Sequence, residues 1–149
     1  MDRSHDITVL NTLIRTTLDS VKGFAEACED DTHAQHSQFF DQMARERSEV
    51  ASRLQAQVRT LGGDPEDDSS LTAAAHRGFM NLKQAVMGNS DEAIIEEVER
   101  GEDYLKAKYD AALQDGELSP ETRQLIEQAY QSVRKGHDAA SAMKHQMHG

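Results

Sequence analysis

Apolar residues recur at intervals of three and four along most of this chain, the spacing that lines one face of an α-helix. Ile7, Leu10, Ile14, Leu18, Val21, Phe24, Ala25 and Cys28 form one stripe. His36, Phe39, Phe40, Met43, Val50, Leu54, Val58 and Leu61 form a second, interrupted by Arg47. Ile94, Val98, Leu105, Tyr109 and Ala112 form a third, and Leu125, Ile126, Ala129, Val133, His137 and Ala140 a fourth. Between the stripes stand the residues that stop and start helices. Thr32 with Gln35 makes a capping box, and Gly62 and Gly63 precede Pro65. Gly88 is followed by the candidate caps Asn89 and Ser90; Gly116 is followed by Ser119 as cap and Pro120 at the first helical position. Helices are predicted at about 5–30, 33–61, 70–87, 91–115 and 120–146.

Lengths and connections then select an architecture. Four helices are long and pair through short turns into two hairpins. The link between the hairpins is long and holds a shorter amphipathic helix, in which Leu71, Ala75, Phe79, Leu82 and Val86 share a face. One long crossover between two antiparallel hairpins is the arrangement of ferritin-like folds. The expectation is therefore an all-α, ferritin-like four-helix bundle, with residues 1–149 as a single domain.

The segments "LNTLIRTTLDSVKGF", "ARERSEVASRLQ", "LGGDPEDDSSLTAAAHRGFMNLKQA" and "ERGEDYLKAKYDAAL" together resemble a bacterial family of ferritin-like four-helix-bundle proteins classed as a domain of unknown function. The crossover segment is the most specific of the four. The resemblance implies the fold and brings no reaction with it.

Charge narrows the partners. Twenty-seven acidic against sixteen basic residues leave a formal net charge of −11, which repels nucleic-acid phosphate and anionic membrane surfaces alike. Cys28 is the single cysteine, so no internal disulfide forms and a reducing compartment is expected. The N-terminus lacks the apolar core of a signal peptide, and a cytoplasmic location is expected. Self-association is compatible with a bundle that exposes an apolar seam, and a protein partner is open.

A ferritin-like fold raises the question of a di-iron centre. That centre takes carboxylates from two helices and Glu-x-x-His pairs from the other two, all directed inward. At 100° per residue, Asp19 falls roughly 160° from the centre of its stripe and Glu26 roughly 140°. Glu46 and Glu49 lie roughly 90° and 150° off the second stripe, where Arg47 points inward instead. Within "EVERGEDYL", Glu102 falls within about 40° of the centre and Glu99 roughly 95° away, leaving Glu97 and Asp103 toward solvent. His137 borders the interior, but its i−3 neighbour is Arg134. The interior polar set expected from phase and height is Thr17, Arg47, Glu102 and His137. An Arg–Glu pair beside a histidine satisfies itself by charge-assisted hydrogen bonds without a cofactor. An alternative metal set of Glu46, Glu99, Glu102 and His137, taking iron or manganese, requires the second and third helices to turn by about a quarter.

The other candidates have plainer readings. His33 and His36, with Glu26 and Glu29, are expected as solvated residues at the first hairpin, and His76 as a surface residue of the crossover. His145 and His148 belong to a fraying terminus. Cys28 is expected to behave as a small core residue. No Ser/His/Asp set and no phosphate-binding glycine loop is present in the sequence. The functional expectation is a non-enzymatic interaction or stress-related scaffold, with a metal-dependent oxidoreductase or storage relative as the alternative.

Overall fold

The chain is helical through most of the residues that the computed structural model describes, which are 3–30, 34–67, 88 and 91–148. Four helices account for them: α1 (Arg3–Asp30), α2 (Ala34–Thr60), α3 (Asp91–Leu113) and α4 (Pro120–His148). No strand occurs among the described residues. The helix predicted at 70–87, the caps Thr32, Asn89 and Ser90, and the residues His33 and His76 lie outside them.

α1 packs chiefly on α2 and α3 chiefly on α4, and the two hairpins meet through α1–α3 and α2–α4. Helices α2 and α3 therefore stand diagonally opposite, as do α1 and α4. His5, near the start of α1, meets Asp115 just beyond α3, whereas Thr17 meets Tyr109 further back along α3. α3 is thus antiparallel to α1 and parallel to α2, which a short turn after α2 cannot achieve. The chain leaving α2 does turn back. Gly62 adopts φ +85°, and the bonds from its N–H to the Arg59 carbonyl and from Gly63 N–H to Val58 close a Schellman motif, each at 2.9 Å. Gly63 passes so close to α1 that a Cβ there would lie 2.8 Å from Ile7 Cδ1. Asn11 then clamps the strap from both sides, donating to the Asp64 carbonyl (3.1 Å) and accepting from Glu66 N–H (2.9 Å). Gln55 and Arg15 add bonds to the Glu66 carbonyl and carboxylate. Ile7, Asn11 and Arg15 are successive contacts, so the segment after α2 starts up the bundle alongside α1.

At the far hairpin, Ser119 and Pro120 begin α4 as cap and first residue. The cap has a second layer from the opposite corner of the bundle. Asp6 accepts Ser119 N–H (3.2 Å), the Ser119 hydroxyl and the Thr122 hydroxyl (2.8 Å), placing a carboxylate at the positive end of α4.

The apolar interior is divided in two. One cluster holds Leu10 to Leu18, Val50 to Val58, Leu105 to Ala112 and Ile126 to Val133. The other holds Phe24, Ala27, Phe40, Met43, Ile94, Val98 and Ala140, with Phe39 set edge-on to Phe24 at 6.2 Å. On each helix the gap between clusters falls on a short stretch, and in those stretches sit Ser20, Arg47, Glu102 and Gly136.

α1 departs from its expected phase. Ala25 is exposed, and Ile7, Val21 and Cys28 are half-buried. The deepest line instead runs through Asp6, Leu10, Leu13, Thr17, Ser20, Phe24 and Ala27. Three of these are polar: Thr17 was expected inside, whereas Asp6 and Ser20 escape an apolar count. Asp19, expected to face outward, is fully buried. The reason is that Thr16 to Ser20 are five consecutive buried residues, more than one helical turn, so the middle of α1 is enclosed on every side.

Candidate functional site

The charged layer is built from one inward residue on each of two diagonal helices. Arg47 occupies a core position of α2 between Met43 and Val50, and Glu102 a core position of α3 between Val98 and Leu105; both side chains are 0% exposed. Their diagonal placement explains the residue type. Arginine is long enough to cross the bundle axis, and its Nη2 donates to Glu102 Oε2 at 2.6 Å. The pair is joined by that one bond. Arg47 Nε and Nη1 and Glu102 Oε1 are buried without a hydrogen-bond partner. A fork-to-fork pairing would have satisfied two donors and both oxygens, so this layer carries a desolvation cost that its single bond offsets only partly. Burial pushes the Glu102 carboxyl above its ordinary range against the pull of the Arg47 charge.

Two neighbours complete the layer. Gly136 of α4 has no side chain because Arg47 and Met43 fill its space: a Cβ would collide with Arg47 Nη2 and Met43 Cε. Thr17 of α1 donates to the Leu13 carbonyl (2.7 Å) and so has its hydroxyl lone pairs left for the phenol of Tyr109, also at 2.7 Å. Tyr109 is fully buried, and its pKa is pushed up to about 12 by desolvation, against the hydrogen bond to Thr17 and the Arg47 charge.

His137 stands at the rim of the layer instead of inside it. Its side chain is 20% exposed, and its Nε2 meets Asp103 at 2.6 Å and not Glu102. The remaining carboxylates named from sequence are dispersed. Glu46 is half-buried and accepts from Gln42 (3.3 Å). Glu99 pairs with Lys144 (2.9 Å), Glu97 with Arg100 (2.9 Å), and Glu49 with Arg53. Thus "EVERGEDYL" contributes one interior carboxylate and three that hold separate surface partners. Among the carboxylates of the alternative metal set, Glu102 lies on the bundle axis and bonds a guanidinium.

A different group gathers at the end of the bundle. His5 Nε2 lies 2.7 Å from Asp115 Oδ2 and 3.9 Å from Glu117 Oε2. Sequence spacing gives no hint of it, since 110 positions separate His5 from Asp115. Only the antiparallel pairing of α1 with α3 brings them together.

The fold and its interior define a class, a four-helix bundle with a buried ionic layer at mid-height. Residues 5–115 match the family described as Domain of unknown function (DUF2383), and the chain belongs to that family. The match covers α1 from His5 onward and all of α2 and α3, with both members of the ion pair, and ends before α4. No curated protein matches the chain. No helix among the described residues is long and apolar enough to cross a membrane.

Proposed function

We propose that this protein is a ferritin-like bundle without a complete di-iron site, acting through its acidic surface as a non-enzymatic interaction or stress-related scaffold. The observation that carries the reading is the Arg47–Glu102 pair. A guanidinium stays protonated in proteins, and here it occupies the mid-height layer within hydrogen-bonding distance of the buried Glu102 carboxylate. A dication placed beside Glu102 meets that fixed positive charge. The net charge of −11 and the lone cysteine support a soluble, cytoplasmic protein whose partner presents basic groups, and self-association belongs to the same reading.

One observation favours a second reading. Glu102 Oε1 is left without a hydrogen-bond partner, and a carboxylate oxygen in that condition suits iron or manganese. Recruiting Glu46, Glu99 and His137 to the same ion requires them to leave Gln42, Lys144 and Asp103. The deciding experiment is metal analysis of untagged protein, followed by iron and manganese titration monitored by absorbance. Unchanged absorbance and a Glu102→Ala variant altered only in thermal stability are expected. Stoichiometric metal that disappears in Glu102→Ala overturns the scaffold reading.

A further inference from the structure

We propose that His5, Asp115 and Glu117 form a divalent-cation site of the zinc class that clips the start of α1 to the α3–α4 turn. The site is separate from the Arg47–Glu102 layer and does not rest on the scaffold reading.

The donor set has one imidazole nitrogen and two carboxylates, with one donor atom of each within 4.8 Å of the other two. One nitrogen and two oxygens with water completing a tetrahedron is a competent zinc environment, in which bonds are about 2.0–2.2 Å. Donors on such an ion stand roughly 3.2–3.6 Å apart by tetrahedral geometry. His5 and Asp115 at 2.7 Å are slightly too close and Glu117 at 3.9 Å slightly too far, so small adjustments of opposite sense complete the shell. Those adjustments are available. The Glu117 side chain is 82% exposed and swings without disturbing packing.

Asp115 is already oriented. Its Oδ1 accepts Glu117 N–H at 2.9 Å, which leaves Oδ2 facing His5. The turn itself is held by Arg123, whose guanidinium donates to the carbonyls of Leu113 and Asp115. Outer contacts of this kind fix ligand direction at metal centres. Asp115 also lines an open groove of about 270 Å³ between α1 and α3, which gives an ion a path from solvent. The surrounding charges are mixed. Asp6 favours a cation but is engaged with Ser119 and Thr122, while Arg123 and Lys108 oppose one. With the imidazole in its neutral, ligating form the two carboxylates give the site a charge of −2, against one positive charge each on Arg123 and Lys108.

The test is zinc titration of the full untagged chain by calorimetry and thermal unfolding, with nickel and cobalt in parallel. At zinc about 100-fold above Kd, binding to the folded state alone raises Tm by about 5–10 °C. His5→Ala and Glu117→Ala should each weaken this site at least tenfold, and Glu117→Ala, a change to an exposed side chain, leaves the fold intact. Glu102→Ala should retain the site. The other histidines make total zinc uptake an insufficient readout, so each variant is compared with the parent. Affinity and Tm shift unchanged in Glu117→Ala, or no Tm shift in the parent, mean an adventitious ion only and overturn the proposal.

Discussion

Arg47 and Glu102 meet across the diagonal of the bundle, Nη2 to Oε2 at 2.6 Å, with neither side chain exposed. Two apolar clusters lie above and below them. An ion pair in that position is weak evidence for stability, because desolvating both charges costs several kcal/mol per ion. Its physical consequence is a fixed register: α2 and α3 cannot slide past one another without leaving a charge unpaired in apolar surroundings.

The pair therefore behaves non-additively. Glu102→Leu leaves a guanidinium that cannot deprotonate and should cost about 3–5 kcal/mol in urea unfolding. Arg47→Met leaves a carboxylate that can take up a proton, so its cost should be smaller and depend on pH. Without the cation, burial dominates over the smaller and opposed influences of His137 and Asp103, and the folded-state pKa of Glu102 lies above the ordinary value of 4.5. The native state then binds more protons than the unfolded chain above that value, so stability rises as pH falls from neutral and levels off below it. The double replacement Arg47→Met with Glu102→Leu should be about as stable as the parent, or more so. A double variant less stable than either single change contradicts this account.

Gly136→Ala should destabilise a helix that propensity says it ought to favour. In an exposed helix interior the change gains about 1 kcal/mol. Here the new Cβ meets Arg47 Nη2, which is tied to Glu102, and Met43 Cε. Displacing a locked neighbour in a filled core costs about 1–3 kcal/mol, and a net loss is expected. Much of that loss should vanish in an Arg47→Met background, since the two sites share a contact. Equal losses in both backgrounds count against the contact as the cause.

Asp6 ties the start of α1 to the start of α4. Asp6→Ala removes the acceptor of three bonds and strands the hydroxyl of Thr122, which is fully buried. A loss of about 2–4 kcal/mol is expected, combining a cap with an unpaired buried donor. Asp6→Asn keeps one acceptor oxygen and should lose roughly half as much. Thermal unfolding of the two variants side by side gives the ranking, and equal effects would show that charge and not acceptor count matters.

Why some of this was legible from sequence and some was not follows from the residues. α2 and α3 each have a single well-defined apolar stripe, so counting at 100° per residue puts Arg47 and Glu102 on inner faces, and both are buried. On α1 the same counting places Thr17 inside but misses Asp6 and Ser20, which occupy core positions because each finds a hydrogen bond there. It fails again for Asp19, in a stretch buried on all sides. The Schellman stop at Gly62 and the Ser119–Pro120 start are written in local sequence. The His5–Asp115–Glu117 group is not, because it exists only through helix direction and height. The crossover helix expected at 70–87 lies outside the described residues.

Tyr109 should ionise well above the ordinary tyrosine range. Thr17 uses its only proton on the Leu13 carbonyl, so the phenol is the donor in the Tyr109–Thr17 bond. Ionisation creates a buried anion, and desolvation pushes the pKa from 10.0 to about 12 against the Thr17 bond and the Arg47 charge. In the unfolded chain the group returns to its ordinary value, so between these limits the native state holds the proton and the unfolded state does not. The stabilisation is fully present below pH 10 and is lost as pH rises through about 12, amounting to a few kcal/mol. The phenolate absorbance that a Tyr109→Phe change removes should develop only well above pH 10, coinciding with loss of far-ultraviolet helix signal. Thr17→Val leaves the phenol without its acceptor and should cost about 1–3 kcal/mol at neutral pH. If Tyr109 ionises near its ordinary 10.0 with the helix signal intact, it is not enclosed.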